Sequence, residues 1–225
     1  MSDDSSKAMS IRTRRRMLQG MLATALATPL VPDTGAGADV LAAGTQESSL
    51  RNPLLWAVAW KQTAAEYAAL CHQAFNLARL QLDLALLQQS AGDKPLAVIT
   101  DMDDTILHAN DYWARLVSEN RDFFDDVIWD EWIPQNRVTP TPGALEFCDY
   151  CDERDVAVFY VTNREQGENT REYALGHLRN LGFPVPDTDR LIVFRGTSDK
   201  SSARDAVRQR FRVPFLLGDN LNDYK

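Results

Sequence analysis

Cysteine and histidine are both scarce in this 225-residue chain, three of each. Three cysteines leave one unpaired in any scheme, which excludes a fold built on a disulfide framework. Cys148 and Cys151 form a lone Cys-x-x-Cys with no second pair, which excludes a four-thiolate zinc centre. All three, Cys71 included, read as small core residues, with a bridge from Cys148 to Cys151 or to Cys71 as the alternative. Positive charge is also in deficit, 24 Lys and Arg against 32 Asp and Glu. A formal charge of -8 argues against a nucleic acid polymer as partner and requires local cations to hold any anionic substrate. The apolar stretch from Gly20 to Val31 is about a dozen residues, short of the roughly 20 that span a bilayer, and no cysteine near it could carry a lipid.

What is present begins with Thr13-Arg14-Arg15-Arg16 running into that apolar stretch, a pattern similar to a twin-arginine export signal. The expectation is an extracytoplasmic protein, periplasmic or secreted, without a stable membrane anchor. Residues 1–45 read as export signal and linker, and the folded domain is expected over 52–225. A helical pattern covers Pro53 to Gln89, with Trp60, Ala64, Tyr67, Cys71, Ala74 and Ala78 on one face, closed by Gly92 and Pro95.

The stretch that organises the rest is Leu96 to Thr105. Five residues, apolar but for a final threonine, run into Asp101, Asp103 and Asp104, as expected for a buried strand that delivers carboxylates to a sheet edge. Two carboxylates two residues apart repel unless a cation sits between them. With oxygen ligands the fitting cation is Mg2+; the alternative for these residues taken alone is a solvated Asp-rich turn.

An insertion at about 106–141 concentrates Tyr112, Trp113, Phe123, Phe124, Trp129 and Trp132. Either these aromatics pack a small subdomain, or Tyr112 and Trp113 stack a planar substrate group above the acids. Beyond it, strands at Val156–Val161, Leu191–Phe194 and Phe215–Leu217 alternate with helices from Gly143, Glu168 and Ser201. Such alternation implies a parallel sheet of βαβ units. Each strand leads to a polar signal: Thr162-Asn163, then Lys200, then Asp219 and Asp223. His72 and His177 read as surface residues on helices, whereas His108 lies closer to the acids as a candidate substrate contact.

The ordered series resembles the haloacid dehalogenase superfamily and, within it, the class C acid phosphatases, which include lipoprotein 5'-nucleotidases. The segments that carry the resemblance are AVAWKQTAAEY (57–67), DMDDTIL (101–107), PGALEF (142–147), FYVTNR (159–164) and GDNLNDY (218–224). It implies a doubly wound parallel α/β sheet with an amino-terminal helix and the aromatic insertion. It also implies an acid phosphomonoesterase acting through an aspartyl phosphate on 5'-nucleotides or other small phosphate esters. Asp101 would be the nucleophile and Asp103 the acid and base, protonated at the start. Thr162, Asn163 and Lys200 would bind phosphate. Asp101, Asp219 and the Asp103 carbonyl would hold Mg2+, with Asp223 behind them. Phosphotransfer to an alcohol, or binding of a nucleotide or phosphate without catalysis, are the alternatives.

Departures from the family pattern are Asp104 in place of a glutamate and His108-Ala109 in place of Asp-Asn, which touch the support of the first loop. The chain also stops at Lys225, where family members continue. The expectation drawn from that is an open flank on the last strand and self-association.

Overall fold

The computed structural model describes residues 51–185 and 188–224; the expected export signal and linker lie outside them. Continuous apolar runs form the four strands of a parallel sheet, β1 (Ala97–Thr100), β4 (Ala157–Asn163), β5 (Leu191–Phe194) and β6 (Leu216–Leu217), in the order β5-β4-β1-β6. Thr100 lies beside Tyr160 on one flank and Leu217 on the other, so β1 and β6 end level and β4 runs three residues further, to Asn163. That register brings the three following loops together at one edge.

Alternation along the strands fills two cores. Val98, Val158 and Tyr160 face a large cluster, while Ala97, Ile99, Ala157, Phe159 and Val161 face a smaller one. The smaller is closed by Ala203 and Val207 of α7 (Ser201–Arg210). The larger is covered by α2 (Ala65–Leu87), α5 (Ala144–Asp152) and α6 (Thr170–Asn180). With both faces covered, the sheet is doubly wound, as the sequence implies.

The single long helix expected from Pro53 to Gln89 is two. α1 (Leu54–Thr63) ends where Ala64 turns extended, φ -79° and ψ 123°, and α2 starts one residue later. No glycine or proline marks this break. It arises because α1 packs on α3 (Asn110–Ser118) and α2 on α5, two directions that one straight rod cannot serve. The buried face of α2 is Phe75, Ala78, Leu82 and Ala85, whereas Ala74 and Trp60 are exposed, so the expected face is shifted.

Between β1 and β4 sits the insertion. A two-stranded antiparallel ladder of β2 (Leu107–His108) and β3 (Thr139–Pro140) frames α3 and α4 (Asp126–Trp132). Asp125 caps α4, its carboxylate accepting from the N–H groups of Val127 and Ile128 at 3.1 Å each. Tyr112, Trp129 and Trp132 are buried, packed edge to face or tilted at 4.9–5.9 Å between ring centres. Cys148 and Cys151 are buried free thiols of the core, as expected, and Cys71 is free as well. Among the described residues no helix is long and apolar enough to cross a membrane.

Candidate active site

Asp101 leaves β1 with its N–H donating to the Leu217 carbonyl at 2.9 Å, which ties the first motif to the last strand. The loop then closes on itself. The N–H groups of Ile106 and Leu107 donate to the Met102 carbonyl, and Asp104 N–H donates to Leu107 O at 2.7 Å. Closing it puts Asp104 in the left-handed region, φ 57°, tolerable for an aspartate.

Asp104 is anchored on both carboxylate oxygens, to Lys61 Nζ at 2.6 Å and to the Trp113 indole N–H at 3.0 Å. The shorter acid that replaces the family's glutamate therefore has its own support, from α1 and α3. His108 is buried and hydrogen-bonded to the Tyr67 hydroxyl at 2.7 Å; burial pushes its pKa down to about 4. It is a neutral structural group under the loop, and the expectation that it touches substrate is corrected.

At the carboxyl ends of the strands lies a cavity of about 240 Å³ lined by Asp101, Asp103, Thr162, Asn163, Lys200, Asp219 and Asp223 among others. All seven residues singled out for catalysis, phosphate or metal thus meet there. Lys200 is the centre of charge, its Nζ 2.6 Å from Asp101 and 2.7 Å from Asp223. Burial works against the ammonium, but the two carboxylates outweigh it and hold its pKa above the ordinary value. Burial dominates at Asp101 and pushes it up to about 7, Lys200 notwithstanding.

One carboxylate oxygen from each of Asp101, Asp219 and Asp223 lies within 4.8 Å of the others. With all three acids ionised a single lysine leaves an excess of two negative charges, and burial raises the pKa of Asp101 and of Asp219 against that state. An all-oxygen donor set with that excess fits a hard divalent cation such as Mg2+. Asp223 accepts from Lys200, the supporting role expected of it, and from the Asn220 N–H, and one of its oxygens also lies within 4.8 Å of the other two acids. Thr105 Oγ1 donates to Asp219 at 3.3 Å, and a Cβ on Gly218 would collide with the Asp223 carboxylate, so glycine is required there.

Asp103 is turned away from that trio. Its two oxygens accept from Arg164 Nε at 2.8 Å and Nη2 at 2.6 Å, with Thr162 Oγ1 at 3.2 Å. Burial would raise its pKa, but the Arg164 fork prevails and holds it below the usual carboxylate range. A bidentate guanidinium favours the ionised form, so Asp103 has to take up a proton at the cost of that pairing before it can act as an acid. Arg164 Nη1 also meets His177 Nδ1 at 3.1 Å, and His177 Nε2–H donates to the Ile133 carbonyl at 3.0 Å. Burial, with the neighbouring guanidinium, keeps His177 neutral, its pKa down to about 4. His177 is 2% exposed, which corrects its reading as a surface residue. Nδ1 must carry its lone pair toward Arg164.

Sequence reasoning thus missed Arg164, His177 and Lys61. Arg164 was visible at a strand end beside Thr162 and Asn163; nothing in the sequence marks the other two.

Asn163 lines the cavity, with its amide donating to the Thr197 carbonyl. Tyr112 is fully buried, its hydroxyl donating to Asp125 O and accepting from Asp125 N–H. Its candidacy for stacking a substrate is corrected to core packing. Trp113 is half-buried with its indole N–H committed to Asp104, and neither ring lines the cavity.

Carboxylates after the first strand of the sheet, a hydroxyl near the end of the second, a lysine at the start of the last α-helix and two acids after the last strand define a haloacid dehalogenase-type site. The chain belongs to the HAD superfamily, subfamily IIIB (acid phosphatase), whose family model matches residues 36–225. It is 30% identical over 137 residues to acid phosphatase 1 of Solanum lycopersicum, an alignment that covers 56% of this chain and spans about half the length of that relative. Two solved structures of the class C acid phosphatase from Bacillus anthracis are similar. The one with tungstate bound has a TM-score of 0.70 at 28% identity, over 78% of this chain and 72% of that one. The other has a TM-score of 0.66 at 27% identity, over 73% and 67%.

Proposed function

We propose that the chain is a Mg2+-dependent acid phosphomonoesterase that works through an aspartyl phosphate on Asp101, with 5'-nucleotides or other small phosphate esters as substrates. The observation that carries this reading is Lys200, bonded at once to Asp101 and to Asp223 inside a cavity that also holds Thr162 and Asp219. Family membership supports the chemistry. The Bacillus anthracis phosphatase binds tungstate, a tetrahedral oxyanion like phosphate, and that supports an oxyanion as the ligand of this chain too.

Phosphoryl transfer asks mainly for positioning and charge neutralisation. The Lys200 ammonium and the Thr162 hydroxyl meet the phosphate oxygens while an Asp101 oxygen attacks phosphorus. The ester P–O bond breaks, and the leaving oxygen takes a proton from Asp103. Asp103 must first acquire that proton at the cost of its Arg164 bonds, so acidic medium favours this step. Once the product has left, Asp103 returns to the carboxylate that Arg164 favours and takes a proton from water. The resulting hydroxide attacks phosphorus, the Asp101–phosphorus bond breaks, and phosphate is released. Mg2+ held by Asp101, Asp219 and Asp223 would neutralise charge on the transferring group.

The amino-terminal Arg14-Arg15-Arg16 and the apolar stretch after it support delivery outside the cytoplasm. Phosphate release from a 5'-nucleotide and from an aryl phosphate, with and without chelator, tests the activity. Acid quenching during turnover, followed by peptide mapping, tests for phosphate on Asp101. Loss of activity in chelator with recovery on added Mg2+ is expected. Turnover in chelator, or phosphate on any other residue, overturns the reading.

A further inference from the structure

Helix α2 has a second apolar face, opposite the one that packs on the core. Leu70, Leu77, Leu80, Leu84 and Leu87 are between 53% and 84% exposed. Scattered exposed leucines are ordinary, but these fall at intervals of seven, three, four and three residues. With Gln73 they occupy consecutive a and d positions of a heptad that begins at Leu70. The same register puts Phe75 and Leu82 at f, and Ala78 and Ala85 at b, against the body of the protein. The core face of α2 keeps the same spacing, so what sets the leucine face apart is its exposure: an a and d row of large apolar side chains with no element of the described residues over it suits a second helix.

We propose that this leucine seam pairs with the same seam of a second copy of the chain, as a two-helix coiled coil with two-fold symmetry. Identical helices supply identical seams, so a two-fold contact is self-complementary without further sequence requirements. The flanking e and g positions permit it. Ala74, Gln81 and Gln88 lie on one side and Asn76 and Asp83 on the other, and the Asp83 carboxylate accepts from Tyr150 OH. No row of like charges faces its own copy.

Area agrees. Each leucine can withdraw roughly 100 Å² from water, so two copies bury on the order of 1,000 Å² from leucines alone, where specific interfaces begin. A lipid surface fits worse. Helices that lie on membranes flank the apolar face with cations, and α2 has one, Arg79, which is bonded to the Glu146 carbonyl and stacked on Tyr150.

Sedimentation velocity of the full chain between about 1 and 100 µM, the range in which modest interfaces populate dimers, tests the seam. A concentration-dependent dimer is expected. Leu77→Ala with Leu84→Ala should raise its dissociation constant about tenfold or more, because central apolar contacts carry most of such an interface. Leu77→Glu with Leu84→Glu should leave monomers whose near-ultraviolet circular dichroism is unchanged, and Asp205→Ala, exposed on α7 over the other face of the sheet, should leave the dimer intact. The alanine pair keeps helix propensity and decides the matter if the glutamates prevent folding. A wild-type chain that is monomeric throughout overturns the proposal, whether residues 1–50 cover the leucines or flotation shows them on anionic vesicles. A dimer indifferent to both leucine pairs overturns it as well.

Discussion

Replacing Arg164 by methionine isolates the charge that sets the state of Asp103. The guanidinium is fully buried and makes two bonds to Asp103 and one to His177 Nδ1. Methionine has similar length and no donors, so the variant keeps most of the packing, leaves the carboxylate with the Thr162 hydroxyl as its one remaining donor, and leaves the imidazole lone pair without a partner. Breaking a buried ion pair from one side costs about 3–5 kcal/mol. In a domain of this size each kcal/mol moves the melting temperature by about 2–4 °C, so a fall of around 10 °C at pH 7 is expected. The pH dependence fixes the cause. In the wild type Arg164 depresses the Asp103 pKa, and the stability this contributes is present above the ordinary value of 3.8 and lost as pH falls through the folded one. In the variant burial is opposed only by the Thr162 hydroxyl and His177 and raises that pKa, so the variant is penalised most at neutral pH and recovers as Asp103 protonates. The gap between the two melting curves should therefore close on acidification toward pH ~4 and below. Differential scanning calorimetry across pH 3 to ~7.5 reads this directly. A deficit that stays constant with pH would show that packing, not charge, is what Arg164 supplies, and no deficit at all would remove the pair from the account.

Asp101→Asn should abolish turnover with melting behaviour retained, because an amide cannot attack phosphorus. Asp103→Asn should cost less with aryl phosphates, whose leaving groups need little protonation; steady-state kinetics on both substrate types checks the two together. Lys200→Ala strands Asp101 and Asp223 and should weaken inhibition by phosphate while slowing turnover, with partial rescue by Lys200→Arg, since a planar fork does not replace a point charge. Tyr112→Ala should lower stability by about 3–5 kcal/mol in denaturant melts and affect nucleotides and aliphatic phosphates alike, in keeping with a core residue. Gly218→Ala should disturb the Asp223 carboxylate and weaken magnesium activation, read as a rise in the Mg2+ concentration for half-maximal rate.

Much of the fold was written locally. Continuous apolar runs alternating with amphipathic segments leave little choice but a parallel sheet covered on both faces, and strand ends are where such sheets place their polar groups. Asp101, Thr162, Lys200 and Asp219 could therefore be named from order along the chain, because each sits at a position that its own strand or helix fixes. The resemblance to class C acid phosphatases supplied roles for the same positions.

What tertiary structure decided are relations between segments far apart in sequence. Lys61 and Asp104 are 43 residues apart, and nothing local to either predicts that α1 supplies the cation that steadies a left-handed aspartate. His177 looks like a helix surface residue until packing turns it inward, between Arg164 and Ile133, and burial then removes its charge. The ionised state of Asp103 depends on whether desolvation or Arg164 wins, a balance set by distances under 3 Å. Tyr112 and Trp113 illustrate the same limit, since composition draws attention to aromatics but only the packing of α3 on its neighbours says which are covered. Leucines at Leu70 to Leu87 were present in the sequence all along. Which of the two apolar faces of α2 meets the core was decided by the neighbours of that helix, and with it which face is left for a partner.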